Sequence, residues 1–303
     1  MNDWIAKQET PPALIYVSSR RYLYLGRTQL RIRDLHSAAS ALLVCLEGSV
    51  KFRVPGEAHW ITTKSILIPA GSRIGIDNQG AVMAACYLDA AKPDFLLLRR
   101  KMESLSGGVY YNLACENRLT ESLIQLREDA PGFAEAQRRV ESIIQQCGGD
   151  ELVTPDPRVV HVIERLRDTA SLNISVKTLA EEVGLSESGL IRLFGQHVGA
   201  PLRRHRLWYR LIEFVTLTLS GVPSAVAIKA AGFTDAAHFS RCYSGFFGVN
   251  WSYAFSKNTH ARYILEEPEA RMATGDVIRR PAWNGSLSPA AAANHGTALA
   301  PAD

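Results

Sequence analysis

The chain has 303 residues, 47% hydrophobic and 21% charged, which is enough for two packed domains and too apolar for a disordered polymer. A net charge of +4 permits a nucleic-acid partner without demanding one. No apolar run reaches the length of a membrane span, Met1 to Pro12 lacks a signal-peptide core, and the five cysteines show no metal-ligand spacing. These features argue against membrane, secreted-disulfide and zinc-finger classes and predict a cytoplasmic protein with reduced thiols.

The first third reads as short strands. Ala13 to Val17, Leu30 to Leu35, Ala41 to Leu46, Val50 to Val54, Ser65 to Ile68, Ile74 to Ile76 and Val82 to Leu88 are β-rich. Turn chemistry separates them at Gly48, Pro55-Gly56, Pro69-Ala70-Gly71 and Asn78-Gln79-Gly80. Many short strands at this spacing predict a barrel or jelly roll. Such a barrel can enclose a small molecule, and Tyr16, Tyr22, His36, Arg53, Arg73 and Tyr87 are the candidate pocket residues. Each of them singly serves equally well as strand surface or core. A metal site is not expected, because the region offers only His36 and His59 where borderline metals want several converging ligands. For His36 the plain alternative is a partly buried ring with one hydrogen bond. No cofactor is expected.

Asp94 can cap a short helix through Phe95, Leu97 and Leu98, which Gly107-Gly108 would break. Glu116 to Asp129 and Phe133 to Gln146 read as amphipathic helices separated by Pro131-Gly132. Their apolar faces serve either internal packing or a dimer surface. Cys147 to Pro155 reads as a linker. Asp156-Pro157 is then an N-cap and first-turn pair for a helix through Val159, Val160, Ile163 and Leu166.

Residues 175 to 255 contain one pattern twice. Leu190, Arg192, Phe194 and Gly199 recur as Phe239, Arg241, Tyr243 and Gly248, all at one offset of 49 residues. Each copy reads as helix, glycine turn, helix: Ser175 and Ser186 cap the first pair, Pro223-Ser224 and Asp235 open the second. The repeat marks a supersecondary unit used twice. Between the copies, Pro201 to Leu219 reads as a single helix of about 28 Å. A rod of that size can hold two reading helices about 34 Å apart, one turn of B-DNA.

Leu179-Ala180-Glu181-Glu182-Val183-Gly184-Leu185-Ser186, Leu190 through Phe194, Gly199, Arg210, Ala231-Gly232-Phe233-Thr234-Asp235, His238-Phe239-Ser240-Arg241 and Phe247-Gly248 together resemble the DNA-binding domain of the AraC/XylS family of bacterial transcription regulators. The sequence departs from that pattern at His205, Ile228 and Asn250. Leu46 to Phe52 and Ile66 to Gly71 resemble the same family's cupin-like sensor half. The resemblance implies an α+β multidomain fold: residues 1–92 a cupin-like sensing or dimerisation barrel, 93–150 a helical connector offering a dimer interface, 151–260 an all-α domain with two helix-turn-helix units. Residues 261–303, rich in Ala, Pro, Ser and Gly toward the end, are expected to be a largely disordered tail. The implied partners are double-stranded promoter DNA, RNA polymerase, a small-molecule effector and a second copy of the chain. The implied role is an activator, not an enzyme.

Side chains early in a reading helix, and one turn later, point into the groove. This selects Glu187, Ser188, Arg192 and Gln196 in the first unit and Ala236, Ala237, His238 and Arg241 in the second. Arg192 and Arg241 can pair with guanine O6 and N7; their plainer use is a phosphate contact or an internal salt bridge. Lys177, Ser186, Arg203, Arg204, Ser240 and Ser244 are candidate phosphate contacts, which position without specifying. The competing reading is a metal-dependent cupin enzyme with an accessory helical domain, against which the sparse histidines weigh. Another is a regulator that binds DNA constitutively.

Overall fold

The computed structural model describes residues 11–148, 155–256 and 260–266. Strands β1 (Ala13–Val17), β2 (Tyr22–Arg27), β3 (Arg31–His36), β4 (Ala41–Glu47), β5 (Val50–Arg53), β6 (Ile61–Thr63), β7 (Ser65–Ile68), β8 (Arg73–Asp77) and β9 (Val82–Tyr87) come first. Helix α1 (Asp94–Arg99), strands β10 (Met102–Ser106) and β11 (Val109–Leu113), and helices α2 (Glu116–Asp129) and α3 (Phe133–Gly148) complete this half. The helical half holds α4 (Pro157–Asp168), α5 (Val176–Glu182), α6 (Glu187–Val198), α7 (Leu202–Leu219), α8 (Ser224–Ala230), α9 (Ala236–Phe247) and α10 (Trp251–Ala254), and β12 (Ala261–Leu265) comes after it.

The strands form two sheets, in the orders β10-β11-β7-β4-β9-β2-β1-β12 and β3-β8-β5-β6. Among the described residues neither sheet closes on itself, so the predicted barrel is corrected to an open two-sheet stack. The reason lies at the edges: β11 pairs with β7 and carries β10 outward, while β12 covers β1 at the far end. Period-two alternation explains the layering. In β4, Leu43 and Cys45 face the smaller sheet with Phe52, Ile66 and Ile76, whereas Leu42, Val44 and Leu46 face the opposite side with Leu119, Leu123, Val140 and Ile144 of α2 and α3.

The apolar faces of α2 and α3, offered above for a dimer, are therefore spent inside the chain. Residues 93–150 are not wholly a helical connector, since β10 and β11 return to the large sheet and Gly107-Gly108 turn a hairpin instead of stopping a helix. Cys147 and Gly148, read as the start of a linker, close α3; residues 149–154 lie outside the described residues. Ala261–Leu265, read as the start of the tail, form β12, parallel to β1 and in register from Ala13↔Ala261 to Val17↔Leu265. Residues 267–303 of the expected tail lie outside the described residues.

The two halves share a core. Ile15, Val17, Tyr22, Ala38, Ala39 and Ala70 pack in one cluster with the buried faces of α4 through α9. Tyr87 of β9 stacks on Trp208 of α7, ring centroids 4.8 Å apart.

Candidate nucleic-acid interface

Local chemistry builds the two units as the sequence predicts. The Ser175 hydroxyl accepts from the Thr178 amide (3.0 Å), Ser186 from Gly189 (3.1 Å) and the Asp235 carboxylate from His238 (2.7 Å). Each satisfies an amide that the first turn of a helix leaves without a partner. The turns pivot on Gly184 (φ 66°) and Gly232 (φ 87°), in the left-handed region that a Cβ disfavours. One apolar stripe of each reading helix is buried: Leu190, Phe194 and Val198 on α6, Phe239, Tyr243 and Phe246 on α9.

The opposite stripe is exposed. Glu187, Ser188, Arg192 and Gln196 face solvent on α6, as do Ala236, Ala237 and Arg241 on α9. His238 is half-buried, its ring edge-on to Phe233 at 5.7 Å. Arg192 and Arg241 stand at equivalent positions, and neither makes a hydrogen bond or ion pair among the described residues. Ile191, which helix spacing alone did not select, is 55% exposed beside Arg192 and offers an apolar contact of the kind that meets a thymine methyl. Its signal was an isoleucine off the buried stripe.

The phosphate candidates divide. Arg203 is exposed, and Lys177 makes an exposed 4.0 Å pair with Glu181, which binds it weakly. Ser186 is occupied as a cap, and Ser240 is half-buried. Ser244 donates to Asn250 Oδ1 at 3.0 Å, so the asparagine that departs from the family pattern holds it. Arg204 is redirected: its guanidinium donates to the His36 carbonyl and lies over the Phe246 ring at 4.7 Å. Burial there lowers its pKa, as expected of a cation at a domain interface. Arg210, part of the family pattern, is structural. It donates from Nε to the Ala170 carbonyl (2.7 Å) and from its terminal nitrogen to Asn173 Oδ1 (2.6 Å).

A cavity of about 320 Å³ lies between the halves, within the range of small-molecule sites. Tyr22 and Tyr87, two of the six pocket candidates, line it with Tyr24, Tyr243, Phe247 and Tyr263. Burial pushes Tyr22, Tyr87 and Tyr243 well above the usual phenol range, and Tyr24 and Tyr263 up to about 12, so all five remain protonated donors at neutral pH. The other four candidates lie elsewhere. Tyr16 donates to the Pro131 carbonyl at 3.0 Å under α3. Arg53 lies over Trp60 at 5.3 Å, Arg73 pairs with Asp34 at the surface, and His36 sits at the Arg204 contact. Among the described residues no three His, Cys, Asp or Glu side chains converge as a metal site requires, and no helix is long and apolar enough to cross a membrane.

Two exposed reading helices on paired helix-turn-helix units, docked on a β-rich half, define the class as a DNA-reading regulator domain on a β-rich partner domain. Residues 179–252 match the helix-turn-helix domain family. The match falls on the segment that resembles the DNA-binding domain of the AraC/XylS family and supports that resemblance for this domain. Across most of its length the fold is similar to apo ToxT K231A from Vibrio cholerae strain SCE256, with 10% identity, 79% of this chain and 98% of that chain covered, and a TM-score of 0.53. It is also similar to the 1.65 Å structure of ToxT from Vibrio cholerae, with 13% identity, 78% and 97% coverage, and a TM-score of 0.50. At these identities the likeness is one of fold. No curated sequence matches the chain.

Proposed function

We propose that this protein is a sequence-specific DNA-binding transcription regulator that inserts α6 and α9 into successive major grooves. One observation carries the reading: Arg192 and Arg241 hold the same position in both units, exposed and unpaired among the described residues. A planar guanidinium in that position can donate to guanine O6 and N7 together. Glu187, Ser188, Gln196 and His238 are the accompanying base-reading groups; Ala236, Ala237 and Ile191 add apolar contact. Lys177 and Arg203 are the best-placed phosphate contacts. The family resemblance favours activation through contact with RNA polymerase.

Control by a small-molecule effector fits the cavity. Its walls come from β1 to β4 and β7 to β9 on one side and α9, α10 and β12 on the other. A ligand filling it touches the second reading unit and the large sheet at once, so it favours one arrangement of the two halves over another.

The test is to map bound sites across the genome, then measure binding of Arg192→Ala and Arg241→Ala to the site found. Each substitution is expected to cost about 1–3 kcal/mol and to relax preference at one base position, the two positions lying about one helical turn apart. Unchanged affinity and preference in both variants would overturn the reading.

A further inference from the structure

We propose that Cys115 and Cys147 are a peroxide-reactive thiol pair that closes into a disulfide across the α2–α3 hairpin. The geometry begins with topology. Helices α2 and α3 are joined by only residues 130–132 and pack on the same face of the large sheet, so the start of α2 meets the end of α3. Arg118 confirms the meeting, donating from its guanidinium to Gln146 Oε1 at 2.8 Å. Cys115 occupies the N-cap position of α2 and Cys147 is the penultimate residue of α3. Cys147 lies in the apolar cluster beneath the hairpin and Cys115 packs against that same cluster, the two thiols near enough to perturb each other's ionisation. Cys147 is buried, whereas Cys115 is partly open to solvent.

The environments push the two thiols apart. The neighbouring Cys147 thiol is the main influence bringing Cys115 down to about 7; its own backbone amide, Lys101 and Arg118 act in the same direction against burial. The amides at the start of a fourteen-residue helix favour an anion at that position as well. Cys147 is pushed up by its neighbour Cys115 and by burial. At neutral pH a substantial share of Cys115 is thiolate while Cys147 keeps its proton. Cys45 and Cys86 are pushed up by burial to about 11 and are poor nucleophiles by comparison.

The chemistry needs hydrogen peroxide as a two-electron oxidant. The Cys115 thiolate attacks one peroxide oxygen, forming the S–O bond of a sulfenic acid as the O–O bond breaks and hydroxide leaves. Cys147 then gives up its proton and attacks the Cys115 sulfur; the S–S bond forms, the S–O bond breaks, and the oxygen departs as water. Two thiols are oxidised to one disulfide, and one peroxide is reduced to two waters. The product staples the hairpin at Gly148, where the chain leaves the β-rich half for α4.

The test uses the full chain, reduced and then exposed to a small excess of hydrogen peroxide, quenched with N-ethylmaleimide and mapped by mass spectrometry without reductant. The expected product is a Cys115–Cys147 crosslinked peptide, with Cys45, Cys86 and Cys242 alkylated after unfolding. On native protein, Cys115 is expected to react with iodoacetamide with a midpoint near pH 7. Cys147→Ser is expected to leave a Cys115 sulfenic acid that dimedone traps, with circular dichroism checking the fold. If peroxide leaves both thiols alkylatable, or if it oxidises Cys115 without engaging Cys147, the proposal is overturned. If Cys147→Ser does not fold, Cys115→Ser serves instead: peroxide consumption must fall to the level of the remaining thiols, and unchanged consumption overturns the proposal.

Discussion

Gly71 of the β-rich half and Gly199 of the first reading unit meet backbone to backbone: a Cβ on Gly71 would stand 2.3 Å from the Gly199 carbonyl oxygen. The contact is reciprocal, since a Cβ on Gly199 would stand 2.9 Å from the Ala70 carbonyl oxygen. Main-chain atoms cannot swing aside as a long side chain can, so the halves dock this closely only through glycine. Gly71→Ala is therefore predicted to loosen the docking. Its φ of +84° adds strain of its own, and Gly56→Ala supplies the control: its φ is +92° and nothing lies within 4 Å of the added carbon. The measurement is the urea midpoint of both variants, with hydrogen exchange at the start of α7. Gly71→Ala is expected to lose at least about 1 kcal/mol more than Gly56→Ala, as core overpacking does. Equal losses would show that the contact carries no stability.

His205 makes this interface sensitive to acid. It is 1% exposed, with Nδ1 3.3 Å from the Ala38 carbonyl and Nε2 3.3 Å from the Tyr209 hydroxyl. A carbonyl can only accept, so the proton belongs on Nδ1 while Nε2 accepts from Tyr209. Burial lowers its pKa from 6.5 to about 4. The folded state thus binds this proton more weakly than the unfolded state. The contribution is fully present above pH 6.5 and is lost as pH falls from there through 4. Between pH 7 and pH 5.5 the expected loss is about 1 kcal/mol. Urea unfolding at the two pH values measures it, and His205→Phe should flatten the difference. Equal losses in wild type and variant would assign the acid sensitivity to other groups.

The reading units were legible because their repeat fixes apolar, arginine and glycine positions together, and because Ser175, Ser186 and Asp235 cap where spacing says they should. Strand β4 was legible from its turn-bounded apolar run, although the run itself does not say which residues face which layer. The hairpin of β10 and β11 was not. Met102–Ser106 mixes polar residues at a sheet edge, and its glycines read as a helix stop. The fate of Arg204 was hidden as well: neighbours on a helix point about 100° apart, and nothing local says that Arg203 faces solvent while Arg204 faces the other half. Nor could spacing separate Tyr22 and Tyr87, which line the cavity, from Tyr16, which does not. Cys115 and Cys147 come together only through the antiparallel return of α3.

Strand β12 had no local signal at all, because its partner β1 lies near the opposite end of the chain. Parallel pairing needs no turn to announce it. The strand joins the second reading unit to the large sheet: the Ala13 amide donates to the His260 carbonyl at 2.9 Å, and the Glu266 amide donates to the Val17 carbonyl at 3.1 Å. Tyr263 stacks on Phe255, centroids 5.8 Å apart, and its hydroxyl donates to the Ala254 carbonyl at 2.9 Å. Ending the chain after Ser256 is predicted to leave β1 as a bare edge and to open one wall of the cavity. The Ala13 amide should then exchange with solvent much faster than in the full chain, while amides in the middle of β4 keep their protection. Tyr263→Phe is the milder version; it removes one half-buried hydrogen bond and is expected to lower stability by about 1 kcal/mol. Hydrogen exchange and urea unfolding measure both. If Ala13 stays protected in the truncated chain, β12 is not what covers β1 in solution, and its role as the tie between the reading unit and the sheet fails.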